Sequence, residues 1–117
     1  MRLNCIYYTS TGKVRAKNED AMLIVDEIFL EEDFQECLQK SKEGTEFIFV
    51  VADGMGGHEK GEVASRLVLE TILESKDRLY DDIEGVLLLA KRRLDEYVKN
   101  NPFAYNMGCA LAGLVIR

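Results

Sequence analysis

The sequence lacks tryptophan and has one proline, one histidine and three cysteines among its 117 residues. Cys5, Cys37 and Cys109 lie far apart and form no CxxC or Cys/His pair, which excludes a zinc site built on such a motif. An odd number of dispersed cysteines predicts reduced, mostly buried thiols and a cytoplasmic protein. The scarcity of proline argues against a proline-rich linker or a disordered chain.

Long apolar runs and a net positive charge are also missing. The longest apolar runs, such as 47–52 and 86–90, are far shorter than the roughly 20 residues that cross a bilayer. The first ten residues contain no apolar segment of signal-peptide length. Basic residues number 15 and acidic residues 21, which gives a net charge of −6. We therefore expect neither a membrane nor a nucleic acid as a partner.

The remaining composition, 47% hydrophobic and 31% charged, is typical of one soluble domain with a packed core, or of part of one. Residue patterns predict strands at 3–8, 21–28, 46–52 and 108–116, and a short helix in the acidic segment 29–44. They also predict an amphipathic helix from about Gly61 and a second from an Asp82 N-cap to Lys99. The second helix should bury one apolar stripe: Ile83, Leu87, Ala90, Leu94 and Tyr97. A helix pair placed between strands favours an α+β fold in which helices cover a sheet.

The most informative segment is VVADGMGGHEKGE at 50–62, where an apolar strand delivers Asp53 to a glycine-rich loop. A carboxylate beside exposed backbone carbonyls suits Mg²⁺ or Mn²⁺ and suits zinc poorly. The same residues could form only a tight turn into a helix. A phosphate-cradling loop is a third interpretation. It is disfavoured because Glu59 occupies the last glycine position of a GxGxxG motif.

A second segment, 11–21, places Arg15 in a loop ahead of the adjacent acids Glu19 and Asp20. The planar guanidinium of an arginine suits a phosphate group. The two carboxylates could accept hydrogen bonds from metal-bound waters, or could simply belong to a solvated acidic loop.

Three motifs occur in a fixed order along the chain. They are Arg15-x-x-Asn18-Glu19-Asp20, then Asp53-Gly54-Met55-Gly56-Gly57-His58-x-x-Gly61-Glu62-x-Ala64-Ser65, then Met107-Gly108-Cys109-Ala110. Over residues 5–116 this order resembles the N-terminal half of the type-2C (PPM family) metal-dependent serine/threonine protein phosphatases, in their bacterial form. The resemblance implies that residues 1–117 are one incomplete domain. It also implies part of a four-layer α-β-β-α sandwich, with antiparallel sheets flanked by helix pairs.

The activity implied by the resemblance is hydrolysis of phosphoserine and phosphothreonine in proteins by a hydroxide that two Mn²⁺ or Mg²⁺ ions activate. Asp53 matches the bridging aspartate, and Gly54 matches the residue whose carbonyl binds one ion. Arg15 matches the arginine that holds the substrate phosphate. Glu19 and Asp20 match acids that contact metal-bound waters.

One position follows the bacterial members of the family, and one pair of residues departs from the family pattern. Met55 stands where eukaryotic members have a histidine, so His58, three residues later, is the candidate general acid. A loop histidine can equally be a structural or capping residue. Cys109 and Ala110 replace a threonine pair. We expect Cys109 to be a buried thiol and not a nucleophile, because no arginine-rich loop follows it.

The later aspartate motifs of the family are missing from the sequence. Asp53 and one carbonyl are too few ligands for two ions, so we expect weak or no Mn²⁺ binding and negligible hydrolysis by these 117 residues. Three hypotheses follow: part of an active phosphatase, a non-catalytic phosphatase-like module acting in binding or dimerisation, or an unrelated nucleotide-binding domain. Uncovered sheet edges would also favour a homo-oligomer.

Overall fold

The computed structural model describes residues 1–13, 17–56 and 60–117. The elements in chain order are β1 (Arg2–Tyr7), β2 (Asp20–Ile24), β3 (Glu27–Leu30), β4 (Leu38–Glu43), β5 (Phe47–Met55), α1 (Gly61–Glu74), α2 (Lys76–Leu79), α3 (Ile83–Asn100), a 3-10 turn (Pro102–Ala104) and β6 (Gly108–Ile116). β1 pairs with β4, and the other strands form a sheet in the order β3-β2-β5-β6. Every strand pair in these ranges is antiparallel, which confirms the α+β prediction. The parallel βαβ unit of nucleotide-binding folds is not formed by the described residues.

The helices cover one face of the four-stranded sheet. Alternate residues of β2 and β5 point toward α1 and meet its apolar stripe. The buried residues in this core include Ala21, Leu23, Ile48, Val50, Ala52, Val68, Leu69 and Ile72. α3 packs against α1 and buries Val86 and Ala90. Asp82 caps α3 as predicted, because its side chain accepts a hydrogen bond from the Gly85 amide at 3.0 Å.

The two-stranded sheet lies against part of the opposite face. The Tyr7 ring of β1 is 5.2 Å from the Phe29 ring of β3. Lys40 and Lys42 of β4 reach the β2–β3 turn, with Lys42 Nζ 3.0 Å from Asp26 Oδ2. Met22 and Ile24 on this face are each only 6% exposed. Helices, four-stranded sheet and two-stranded sheet thus form three layers, as expected for part of a four-layer sandwich.

The rest of that face is open to solvent. Val51 is 52% exposed and Met55 is 59% exposed, and β6 forms one edge of the sheet. On the helix face, α3 stands off from β6 and leaves a cleft of about 420 Å³, lined in part by Ile83, Leu87 and Leu111. No helix in the described ranges is long and apolar enough to span a membrane.

Two of the predicted elements are wrong. The segment 21–28 is not one strand but a hairpin of β2 and β3, since Val25 turns the backbone with a φ of 61°. That turn is fixed by the Val25 amide, which donates to the Ile48 carbonyl at 2.8 Å. The segment 29–44 forms β4 where a short helix was predicted. Lys40 and Lys42 alternate with exposed residues, and they form ion pairs with Glu27 and Asp26 at the β2–β3 turn. A strand permits both pairs because alternate residues lie on the same face.

Other differences are smaller. β5 continues through Asp53 and Gly54 to Met55, where a loop was predicted, because β6 pairs with it along its whole length. The stripe predicted for α3 is wrong at its start, since Ile83 is 55% exposed and Leu87 is 39% exposed. The short helix α2 was not predicted. The three cysteines are free, but Cys5 and Cys109 are only half-buried and Cys37 is exposed, so the expectation of mostly buried thiols is wrong.

Candidate metal centre

Asp20 and Asp53 lie directly opposite each other on neighbouring strands. The register of β2 and β5 pairs Asp20 with Asp53, one step from the pair Ala21 and Ala52. Because Ala21 and Ala52 belong to the core under α1, both aspartates are on the opposite face of the sheet. Opposed residues have Cβ atoms roughly 5 Å apart, and opposed like charges repel. A cation near both carboxylates would relieve that repulsion.

The aspartates border a shallow depression on this face. Its volume is about 330 Å³, and its lining includes Asp20, Asp53, Tyr8, Thr9 and Val51. The lining also includes small residues of β6, among them Ala110 and Ala112. A ligand in this depression would therefore meet both carboxylates.

Gly54 is held by backbone contacts with α1. Its amide donates to the Glu19 carbonyl at 3.4 Å. A Cβ at Gly54 would overlap the carbonyl oxygen of Gly61, and a Cβ at Gly61 would come within 2.8 Å of the Gly54 backbone. Both positions therefore require glycine. This close approach fixes the peptide unit whose carbonyl is the predicted metal ligand.

Glu19 and Asp20 point in different directions, although the sequence predicts the same role for both. A Cβ at Gly61 would overlap Glu19 Oε2, so this carboxylate lies against the first residue of α1. A helix N-terminus favours a negative charge there. The structure brings Asp20 to Asp53 and leaves the Glu19 carboxylate on the helix side. Contact of either acid with metal-bound waters stays a prediction.

Asn18 is a functional candidate to which sequence reasoning gave no role. It is 6% exposed, and its amide nitrogen donates to Thr9 Oγ1 at 2.9 Å and to the Glu32 carbonyl at 2.7 Å. Its Oδ1 accepts from the Asp20 amide at 3.1 Å. Asn18 therefore fixes the backbone on which Asp20 stands. The only signal in the sequence was its place in the motif with Glu19 and Asp20.

Glu62 was also missed. Its Oε1 accepts from Lys17 Nζ at 2.9 Å, which ties the segment before Asn18 to the first turn of α1. Glu62 Oε2 is buried and has no hydrogen-bond partner among the residues that the structure describes. The pair joins the two motif segments on the helix side of the candidate centre.

Arg15 and His58, the predicted phosphate ligand and candidate general acid, lie outside the described residues. Cys109 stands opposite Gly54 in β6. Burial, and secondly the negative charge of Asp53, raise the pKa of its thiol. A raised pKa disfavours the thiolate, in line with the expectation that Cys109 is not a nucleophile.

The oxygen atoms at this site are of the type that binds a divalent cation, but there are too few of them. Asp53, Asp20 and the Gly54 carbonyl supply the hard oxygen ligands that Mg²⁺ and Mn²⁺ prefer. Among the described residues, however, no group of three or more histidine, cysteine, aspartate or glutamate side chains could hold a metal ion. The described part of the chain therefore supplies too few side-chain ligands to hold an ion by itself.

Comparison with solved structures identifies the fold. The chain is similar to the catalytic domain of the serine/threonine protein phosphatase PstP, solved in complex with two manganese ions, with 23% identity and a TM-score of 0.68. It is also similar to the Mycobacterium tuberculosis serine/threonine phosphatase PstP/Ppp, with 24% identity and a TM-score of 0.65. No family model and no curated protein matches the chain.

The similarity covers nearly all of this chain but less than half of each phosphatase. It spans 99% of this chain and 44% of the manganese-bound domain, and 96% and 41% in the second comparison. The chain therefore has the fold of part of a serine/threonine phosphatase catalytic domain. This confirms the fold that the resemblance implied.

Proposed function

We propose that this chain is the part of a metal-dependent serine/threonine protein phosphatase that supplies Asp53 and Gly54 to the metal centre. One observation carries the proposal: Asp20 and Asp53 face each other at the ends of β2 and β5, beside the clamped Gly54, in a fold shared with a manganese-bound phosphatase. The substrates would be proteins phosphorylated on serine or threonine, and the compartment the cytoplasm.

Each residue has a separate task in this proposal. Asp53 and the Gly54 carbonyl would hold Mn²⁺ or Mg²⁺, and the bound ions would supply an activated hydroxide. Arg15 would bind the phosphate through its guanidinium, and His58 would donate a proton to the leaving oxygen. Asp20 would hold its carboxylate beside Asp53, on a backbone fixed by Asn18. Further oxygen ligands would come from residues outside this sequence.

The 117 residues alone should bind Mn²⁺ weakly and hydrolyse phosphothreonine peptides negligibly, because the ligand set is incomplete. Titration calorimetry with Mn²⁺ measures this directly. Two tight sites on the isolated chain would contradict the proposal that other residues complete the centre.

The catalytic assignment is tested in a polypeptide that carries the whole domain. Asp53→Asn should reduce Mn²⁺-dependent hydrolysis of a phosphothreonine peptide by more than about a hundredfold, because a metal ligand is lost. Asp26→Asn is the matched control, since Asp26 lies in the β2–β3 turn, paired with Lys42 and Lys40. Activity that survives Asp53→Asn would reject the role of Asp53.

A non-catalytic module that acts in binding or dimerisation is the second candidate. It is favoured by the uncovered edge of β6 and by the apolar cleft between β6 and α3. The coding sequence after Arg117 separates the two candidates. Further aspartate motifs there would support the phosphatase. A stop codon, together with a dimer in analytical ultracentrifugation that Leu111→Lys dissociates, would support the module.

A further inference from the structure

Helix α1 carries two fully buried hydroxyl groups, and they bond to different partners. Thr71 Oγ1 donates to the Leu67 carbonyl at 2.7 Å, one turn earlier in its own helix. This is the ordinary bond of a buried hydroxyl in a helix. Ser65 Oγ does not donate to the carbonyl one turn earlier in α1. Its Oγ donates instead to the Glu19 carbonyl at 3.0 Å, in the segment that leads into β2.

The Glu19 carbonyl connects the motif segment before β2 with the motif segment that contains Gly54 and Ser65. It accepts the Ser65 hydroxyl at 3.0 Å and the Gly54 amide at 3.4 Å. The longer bond to Gly54 is the weaker one on distance. Of the two hydrogen bonds to the Glu19 carbonyl, the one from the Ser65 hydroxyl is therefore the stronger. This carbonyl lies where β2 and β5 bring Asp20 and Asp53 together.

Ser65 also touches Gly54 itself. A Cβ at Gly54 would lie 2.5 Å from Ser65 Oγ, so the hydroxyl packs against the bare Cα of this glycine. Ser65 is 0% exposed and has no room to turn toward solvent. One buried hydroxyl thus contacts the residue before Asp20 and the residue after Asp53.

We propose that Ser65 is a positioning residue of the metal centre: its hydroxyl fixes the Glu19 carbonyl and the Gly54 peptide, and so sets the Gly54 carbonyl and the two aspartates for a divalent cation. The inference rests on the proposed function. It assigns Ser65 a task at the centre without contact with the ion.

The test uses the 117-residue chain, with Mn²⁺ itself as the paramagnetic probe in amide NMR spectra. In the wild type, graded Mn²⁺ should broaden the amide signals of Asp20, Asp53 and Gly54 first. Ser65→Ala should require about tenfold more Mn²⁺ for the same broadening, in the range seen when groups that support metal ligands are lost. Thr71→Val, which removes the other buried hydroxyl of α1, should stay within about twofold of the wild type.

Amide hydrogen exchange gives a readout that needs no metal. Exchange of the Gly54 amide should be about tenfold faster in Ser65→Ala than in Thr71→Val, because its acceptor is no longer held. Ser65→Cys retains a weak donor of similar size and should fall between serine and alanine in both measurements. This variant keeps the test decisive if Ser65→Ala does not fold.

The outcomes separate the inference from the proposed function. A folded Ser65→Ala with wild-type broadening and wild-type Gly54 exchange rejects the positioning role and leaves the metal proposal intact. Broadening of the wild type that does not select Asp20, Asp53 and Gly54 rejects the proposed metal centre. The exchange comparison then still decides whether Ser65 holds Gly54.

Discussion

The two faces of the four-stranded sheet are built in different ways. The face under α1 is closed: Leu69 is 0% exposed, and the helix backbone touches the strand at Gly54 and Gly61. The opposite face is covered on one side by the two-stranded sheet, through rings and ion pairs, and is open on the other side. The aspartates of the candidate metal centre lie on the open face at the strand ends, and Gly54 beside them contacts α1 on the closed face. The ligands of this centre thus stand on the open face while their backbone is fixed from the closed face.

The largest effect should come from a methyl group added to the closed face. Gly61→Ala places a Cβ against Glu19 Oε2 and the Gly54 backbone, and the backbone cannot move aside. We expect a loss of about 3 kcal/mol in the free energy of unfolding, from overpacking. Urea denaturation measures it.

Gly85→Ala in α3 is the control for this substitution. The three atoms nearest to its Cβ would all belong to the side chain of Asp82, which can rotate away. The lost N-cap bond, about 1 kcal/mol, and the gain in helix propensity, also about 1 kcal/mol, should nearly cancel. Equal losses from the two glycine variants would show that the contact between Gly54 and Gly61 is not close.

The next largest effect is the difference in unfolding free energy between two valine variants on opposite faces of the sheet. Val68→Ala removes methyl groups from the closed face, where Val68 is 3% exposed, and should destabilise the fold by about 2–3 kcal/mol. Val51→Ala on the open face, where Val51 is 52% exposed, should change stability by less than about 1 kcal/mol. Both values come from the same denaturation experiment. If Val51→Ala were as harmful as Val68→Ala, the open face would have to be covered in solution.

A smaller effect of opposite sign separates Asp53, on the open face, from Asp26, in the β2–β3 turn. Without metal, Asp53→Asn should raise the free energy of unfolding by about 0.5 kcal/mol, because it removes a like charge opposite Asp20. Asp26→Asn should lower it by a few tenths of a kcal/mol, since Asp26 loses partly exposed ion pairs with Lys40 and Lys42. Thermal unfolding in metal-free buffer measures both. Destabilisation by Asp53→Asn would show that the two carboxylates do not repel each other.

The smallest effect is a pH dependence. A hydrogen bond from Lys42 lowers the pKa of Asp26 below 3.8. A lowered pKa in the folded state means that the stabilisation is present above pH 3.8 and is lost as the pH falls through the folded value. NMR titration of the Asp26 carboxyl should show this value, and Lys42→Met should move it back toward 3.8. An unchanged pKa in the variant would exclude the bond from Lys42.

The sequence predicted the closed face better than the open one. The periodicity of α1, the apolar run of β5 and the Asp82 cap are local signals, and the structure confirms them. β4 was predicted as a helix, because its polar, charged segment gains its strand partner and its ion pairs only through residues distant in sequence. Local pattern does not carry that information.

The candidate site shows the same division. Asp53 and Gly54 could be predicted, since an aspartate at the end of an apolar strand followed by glycine is a local signal. Ser65, Asn18 and Glu62 lie within the sequence motifs, but the sequence alone predicts no separate role for them. Their tasks depend on bonds across 46, 14 and 45 residues of sequence, to Glu19, Glu32 and Lys17 respectively. Sequence spacing alone does not reveal such partners.

The most direct test of the metal centre is an anomalous diffraction experiment. Crystals of the 117-residue chain would be grown at a high Mn²⁺ concentration, so that a weak site is filled. We expect an anomalous difference peak that contacts the Asp53 carboxylate and the Gly54 carbonyl oxygen, on the face that carries Asp20. Manganese peaks confined to other carboxylates, with none at Asp53, would contradict it.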